Sequence, residues 1–222
     1  MNEARIISEL KALGNPKNVA IWHACGVKPN HTFFGVSITN LKKLARKIKR
    51  DHALAVALWD AGVHDARLLA TFIEEPKKVN EMQLSRQVCS ICTPDVSDKF
   101  VTNVVLKTPF AQSFASQWIN RNEEFIKQCG YLLIAGMAKK TGTTSDAFFS
   151  FYLTKIAAEI SAERNWVREA MNLAIISIGK RSKNLQNKAL QLLENTAPVR
   201  VDYGTSSCTA PDAKTALRKH LF

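Results

Sequence analysis

Two aspartates, Asp95 and Asp98, stand three residues apart in the run Thr93-Pro-Asp-Val-Ser-Asp-Lys-Phe-Val-Thr-Asn-Val-Val-Leu-Lys-Thr-Pro-Phe110. The run predicts a helix that closes before Pro109. Thr93 suits an N-cap and Pro94 the first helical position. Val96, Phe100, Val101, Val104 and Val105 recur at helical spacing, so one face is buried. Both aspartates then fall near the helix's positive end, where anions are favoured, and residues three apart look out over one side. Acidic residues in a first turn commonly do no more than cap, so any chemical role depends on what surrounds this pair.

The rest of the chain supplies charge of the opposite sign. The 222 residues hold 31 Lys plus Arg against 19 Asp plus Glu, a net charge of +12, with a pI near 9.6. Such an excess points to a polyanionic partner, nucleic acid ahead of a membrane surface. The plain alternative is charge that only aids solubility. The densest cluster is Lys42, Lys43, Arg46, Lys47, Lys49 and Arg50. Five cysteines, Cys25, Cys89, Cys92, Cys129 and Cys208, are odd in number and scattered. With no secretory leader and no apolar run of spanning length, they predict a reduced, cytoplasmic chain. Cys89-Ser-Ile-Cys92 has metal or redox spacing but no second pair and no nearby His pair. Two small apolar residues on a helix are the expected reading, with no metal and no cofactor.

The elements that must position these groups are nearly all helical. Helices are predicted at Glu3 to Leu13, Lys17 to Cys25, Ser37 to about Arg50, Asp51 to Ala61, His64 to Glu75 and Val79 to Ile91, ahead of the central one. Beyond it come Pro109 to Asn120, Asn122 to Lys140, Asp146 to Ile160, Arg164 to Gly179 and Ser182 or Lys183 to Asn195. A loop at Val27 to Gly35 carries Pro29, Asn30 and His31, and another spans Thr141 to Ser145. The segment 199–210 is irregular, and a last helix, Pro211 to His220 within 211–222, starts from a Thr209 cap. Strand-like alternation appears only at Val199 to Tyr203. The predicted class is all-α, a single domain over 1–222 built as an α-solenoid of stacked antiparallel helix pairs, with a compact bundle as the alternative.

Several runs then resemble the AlkD-type DNA alkylation-repair family. They are Phe34-Gly-Val36, Trp59-Asp-Ala-Gly-Val-His-Asp-Ala-Arg-Leu-Leu-Ala70, Thr93 to Asp98, Lys107-Thr-Pro-Phe-Ala111, Asn122-Glu-Glu-Phe-Ile126, Asn165-Trp-Val-Arg-Glu-Ala-Met-Asn172 and Ile178-Gly-Lys-Arg181. The resemblance covers Ser8 to Lys188 in order. It implies tandem HEAT-like helix pairs with a basic concave face that holds duplex DNA without sequence preference. It also implies excision of cationic N3- and N7-alkylated purines without metal or redox cofactor. On that resemblance Lys42, Lys43, Arg46, Lys47, Arg50, Lys139, Lys140, Arg164, Arg168, Lys180 and Arg181 are candidate DNA contacts.

The catalytic positions match unevenly. Active members carry a Trp and, four residues on, an Asp; here these are Pro94 and Asp98. A family Arg corresponds to Gln128, and a second Trp, after an Asn, corresponds to Leu173 after Asn172. Asp98 is the candidate catalytic residue, with Pro94, Asp95, Gln128, Asn172 and Leu173 lining its site. A ring attracts a cationic base by about 0.5–2 kcal/mol, and a carboxylate can stabilise oxocarbenium character as the base leaves. Only the second device is retained. Trp118 and Trp166 are read as core. His64 is read as structural, and Arg67 as a partner of Asp60 or Asp95. Three functions stay open in this order: a DNA-binding member with weak or absent glycosylase activity, a working glycosylase that uses Asp98 with altered specificity, and a helical scaffold for an acidic protein. The expected protein is a monomer, nucleoid-associated when DNA-bound.

Overall fold

The computed structural model describes residues 2–24, 32–140, 144–194 and 196–222, so Cys25, the loop residues Pro29, Asn30 and His31, and 141–143 lie outside the described residues. Among the described residues there are thirteen α-helices and no strand; Thr32 and Val63 form an isolated bridge. The chain divides into two compact units. One comprises Met1–Thr108 with Tyr203–Ser207, the other Pro109–Asp202 with Cys208–Phe222.

The first unit holds α1 (Glu3–Ala12), α2 (Pro16–Ala24), α3 (Ile38–Ile48), α4 (His52–Asp60), α5 (His64–Ile73), α6 (Glu81–Val88) and α7 (Pro94–Asn103). Asn2, Ser37, Asp51 and Asn80 cap α1, α3, α4 and α6, each accepting from the backbone N–H three residues on. Gly62, at φ 69°, turns α4 into α5, and these two helices pack together. Helices α3, α5 and α7 pack in succession over Leu41, Leu44, Leu69, Ile73, Phe100 and Val101, all essentially buried. Truncating one such residue to Ala costs about 2–5 kcal/mol.

A buried carboxylate fixes the chain that enters α3. Asp65, only 1% exposed, accepts hydrogen bonds at 2.7 Å from the backbone N–H of Phe34 and of Val36. Between them Gly35 takes φ +77°, and a Cβ there would lie 2.4 Å from the Asn15 carbonyl oxygen. Asp65 is therefore structural, and the Phe34-Gly-Val36 run is the segment it holds.

The second unit holds α8 (Ala111–Trp118), α9 (Glu124–Ala138), α10 (Asp146–Glu159), α11 (Asn165–Gly179), α12 (Lys183–Glu194) and α13 (Ala213–Arg218). Helices α9 and α11 are its most closely packed pair. Tyr131, Leu133 and Ile134 of α9 and Ala170, Ala174 and Ile178 of α11 are fully buried. Gly130 lets the end of α8 approach: a Cβ there would lie 2.7 Å from the Ile119 amide nitrogen.

Three local expectations are corrected. Thr93 occupies the N-cap of α7 but makes no capping hydrogen bond; it is buried, and its hydroxyl has no hydrogen-bond partner among the described residues. Helix α7 stops at Asn103, and Val105–Lys107 forms a 3-10 turn, closed by the Thr108 hydroxyl donating to the Val105 carbonyl at 2.7 Å. The last helix is capped by Asp212, not Thr209, because the Asp212 carboxylate accepts from the Thr215 N–H at 2.6 Å. Val199 to Tyr203 is irregular, as read from the sequence.

Candidate nucleic-acid interface

At the start of α7 the two aspartates have separate fates. Asp95 turns inward to the buried His64, 3.0 Å from Nε2, and also accepts from the Val96 N–H at 2.9 Å. The His64 ring lies against Phe33, centroids 4.5 Å apart. Asp98 stays open, its side chain 42% exposed and 2.7 Å from the Lys99 ammonium. The pair thus does not look out together, as spacing alone predicts: one carboxylate is occupied in packing and the other carries a lysine counterion. Pro94 is half-buried beside them.

Arg67 pairs with neither Asp60 nor Asp95. It donates to the Ser90 carbonyl at 2.7 Å and the Trp59 carbonyl at 3.3 Å, so it fastens the turn after α6 to the last turn of α4. Asp60 pairs with Arg86 at 2.8 Å. Cys89 ends α6 and is exposed, while Cys92 lies in the turn before α7. They do not sit together on a helix. Burial pushes the Cys92 thiol above its ordinary pKa, against a smaller opposing effect of Arg67. No group of three or more His, Cys, Asp or Glu able to hold a metal occurs among the described residues.

The first unit gathers cations along α3. Lys42, Lys43, Arg46, Lys47, Lys49 and Arg50 are exposed. Lys42, Lys43, Arg46 and Lys49 form no ion pair among the described residues. Lys47 stands 3.9 Å from Glu9, and Arg50 donates to the Glu74 carbonyl at 2.5 Å. Lys42, Arg46, Lys49 and Arg50 ring a cleft of 340 Å³ whose apolar lining is Ala45 and Phe72. Phe72 carries no mark in the sequence beyond its place near the end of α5.

The second unit repeats this arrangement with other residues. A cleft of 410 Å³ at the ends of α9 and α11 is lined by Lys139, Lys140, Lys180 and Arg181, with Ala138, Leu173 and Ile176 as its apolar part. Arg181 is committed internally. It donates to the carbonyls of Lys140 at 2.5 Å and Thr144 at 2.7 Å, lies 3.4 Å from Asp146, and sits over the Phe149 ring at 4.7 Å. Lys139 and Lys180 are exposed. Arg164 is exposed at the N-cap of α11, and Arg168 is half-buried.

The remaining predicted site residues of this unit do not share a surface with Leu173. Gln128 is 1% exposed, and its carbonyl oxygen has no partner among the described residues. Asn172 is equally buried and donates to the Pro211 carbonyl at 2.8 Å, tying the C-terminal segment to α11. Trp118 is core, stacked on Phe114 at 4.6 Å. Trp166 is half-buried, its backbone N–H donating to Glu124 at 2.9 Å. No described helix is long and apolar enough to cross a membrane.

Comparison with known proteins is consistent across sequence and structure. A family model described as DNA alkylation repair enzyme matches residues 6–208. An uncharacterized protein of Listeria innocua is 27% identical over 215 residues, 96% of this chain and 94% of the relative. A second, from Listeria monocytogenes, is 26% identical over the same shares. A solved structure, of a family related to the HEAT-like repeat DNA glycosylases with affinity for branched DNA structures, superposes with a TM-score of 0.85. It shares 24% identity, over 99% of this chain and 93% of that one. The fold is therefore that of the HEAT-like repeat proteins.

Proposed function

The chain belongs to the DNA alkylation repair enzyme family, and from that premise we propose that it binds DNA through two basic clefts and excises alkylated bases weakly or not at all. The observation that carries the binding reading is the gathering of cations without carboxylate partners around apolar floors, Lys42, Arg46 and Lys49 in one unit and Lys139 and Lys180 in the other. Such cations exchange their counterions for phosphates, and phosphate contacts position a duplex without reading its sequence. The branched-DNA affinity of the family to which the similar structure belongs adds junctions and flaps to the substrates worth testing.

The weak-excision reading rests on the start of α7. Removing a cationic purine calls for a ring to hold the base and a preorganised anion near the sugar. Pro94 and Leu173 offer no ring. Asp98 keeps its carboxylate, but a lysine ammonium 2.7 Å away already offsets that charge. Gln128 is buried where the family's arginine is expected. The exposed Asp98 carboxylate is what favours the second reading, a working glycosylase of altered specificity.

Release of 7-methylguanine and 3-methyladenine from methylated duplex DNA separates the two. We expect the parent chain to stay near spontaneous depurination, with Asp98→Asn indistinguishable from it. Efficient release, abolished by Asp98→Asn with a loss of about 10²–10³ in rate, would establish the glycosylase reading instead. Neither DNA binding nor base release, with retention of an acidic protein, would favour a scaffold.

A further inference from the structure

The cleft of the first unit has a feature that phosphate binding alone leaves unused. Its cations surround the half-buried ring of Phe72. The residues on either side of Phe72 are tied down: the Thr71 hydroxyl donates to the Leu68 carbonyl at 2.8 Å, and the Ile73 carbonyl accepts from the Asp51 N–H at 2.9 Å. The rim is held as well. Lys49 ends α3 at φ 68°, ψ −152°, a backbone region that side chains other than glycine rarely occupy and that costs about 1–3 kcal/mol. Its N–H donation to the Ala45 carbonyl at 2.8 Å helps keep it there. Cations near a helix C-terminus are favoured by the dipole in any case. That accounts for Arg46 and Lys47, but not for an aromatic floor beneath a lysine at a strained position.

A ligand that matches this cleft has a flat apolar face and anionic flanks. We propose that the cleft takes one unstacked nucleotide of a DNA strand, its base on Phe72 and its neighbouring phosphates on Lys42, Arg46 and Lys49. This rests on the DNA-binding reading above. Bases within a duplex are stacked on one another, so the cleft selects a strand end, a flap or a junction over an unbroken helix. The second unit's cleft has Leu173 and Ile176 instead of a ring and gives no such selection.

The test uses the full chain and two labelled DNAs of equal length, a blunt duplex and the same duplex with a single-stranded flap, read by fluorescence anisotropy. Parent and Phe72→Trp bind the flapped DNA more tightly than the blunt one. Phe72→Leu, which keeps an apolar floor, loses about 5- to 150-fold on the flapped DNA, equivalent to about 1–3 kcal/mol of stacking, and loses less on the blunt duplex. Equal loss on both DNAs would overturn the inference by making Phe72 a support of α5 alone. A parent chain that binds both DNAs equally would overturn it while leaving the DNA-binding reading intact. Binding to neither would remove both.

Discussion

The two basic clefts share a plan and differ in their materials. Each lies at the C-terminal ends of two packed helices, α3 with α5 in one unit and α9 with α11 in the other, and each sets cations around an apolar lining. In the first unit the cations are mostly unengaged and the floor is a ring. In the second, Arg181 is tied into its own unit and the floor is aliphatic. The difference teaches that charge at a cleft is not by itself binding capacity. A guanidinium that already satisfies carbonyls and a carboxylate has little left to offer a phosphate, whereas a solvated lysine exchanges one counterion for another at little cost.

The largest effect that would test this contrast is on stability. Arg181→Ala should lower the unfolding free energy by about 2–3 kcal/mol, since it leaves the Lys140 and Thr144 carbonyls without their charged donor. Arg46→Ala on α3 should stay within about 0.5 kcal/mol of the parent. Urea midpoints measured side by side decide it, and equal midpoints would erase the distinction between the clefts.

A smaller effect would come from exchanging floors. Leu173→Phe places a ring in the second cleft and should strengthen binding of single-stranded DNA by about fivefold, the lower end of what stacking one base supplies. No gain would mean that the floor of that cleft is not within reach of a base. The smallest effect concerns Lys47 and Glu9, 3.9 Å apart with the lysine side chain 70% exposed. Glu9→Gln should change stability by less than about 0.5 kcal/mol while slightly raising duplex affinity at low salt. A clear loss of stability would show that α3's cations are structural after all.

How far the sequence could be read follows the same divide between local and tertiary causes. Helices were legible wherever an apolar stripe, a cap and a breaker coincided, as in α3 between Ser37 and the turn at Lys49 and Arg50. The end of α7 was not, because nothing local marks the Thr108–Val105 closure that ends the 3-10 turn. Asp212 won the cap from Thr209 through a register that depends on where α13 docks, with Leu217 buried against the unit. Of the site, the basic cluster on α3 was legible from spacing, and the missing rings at Pro94 and Leu173 from the resemblance. The roles of Arg67 and Arg181 were not, since each has a short hydrogen bond to a backbone carbonyl far along the chain, Ser90 for Arg67 and Lys140 for Arg181. Asp65 was hidden for the same reason. A buried carboxylate that satisfies two loop N–H groups looks, in sequence, like any acidic residue in a first turn.

The central claim, that the cations of these clefts act on the phosphates of DNA, is tested most directly by the salt dependence of duplex affinity. The logarithm of the association constant should fall linearly with the logarithm of salt concentration, with a slope of about −0.9 for each phosphate contacted. The double variant Lys42→Ala with Arg46→Ala should flatten that slope by about two contacts' worth. An affinity that stays level between low and moderate salt, or a slope unchanged in the double variant, would contradict the account.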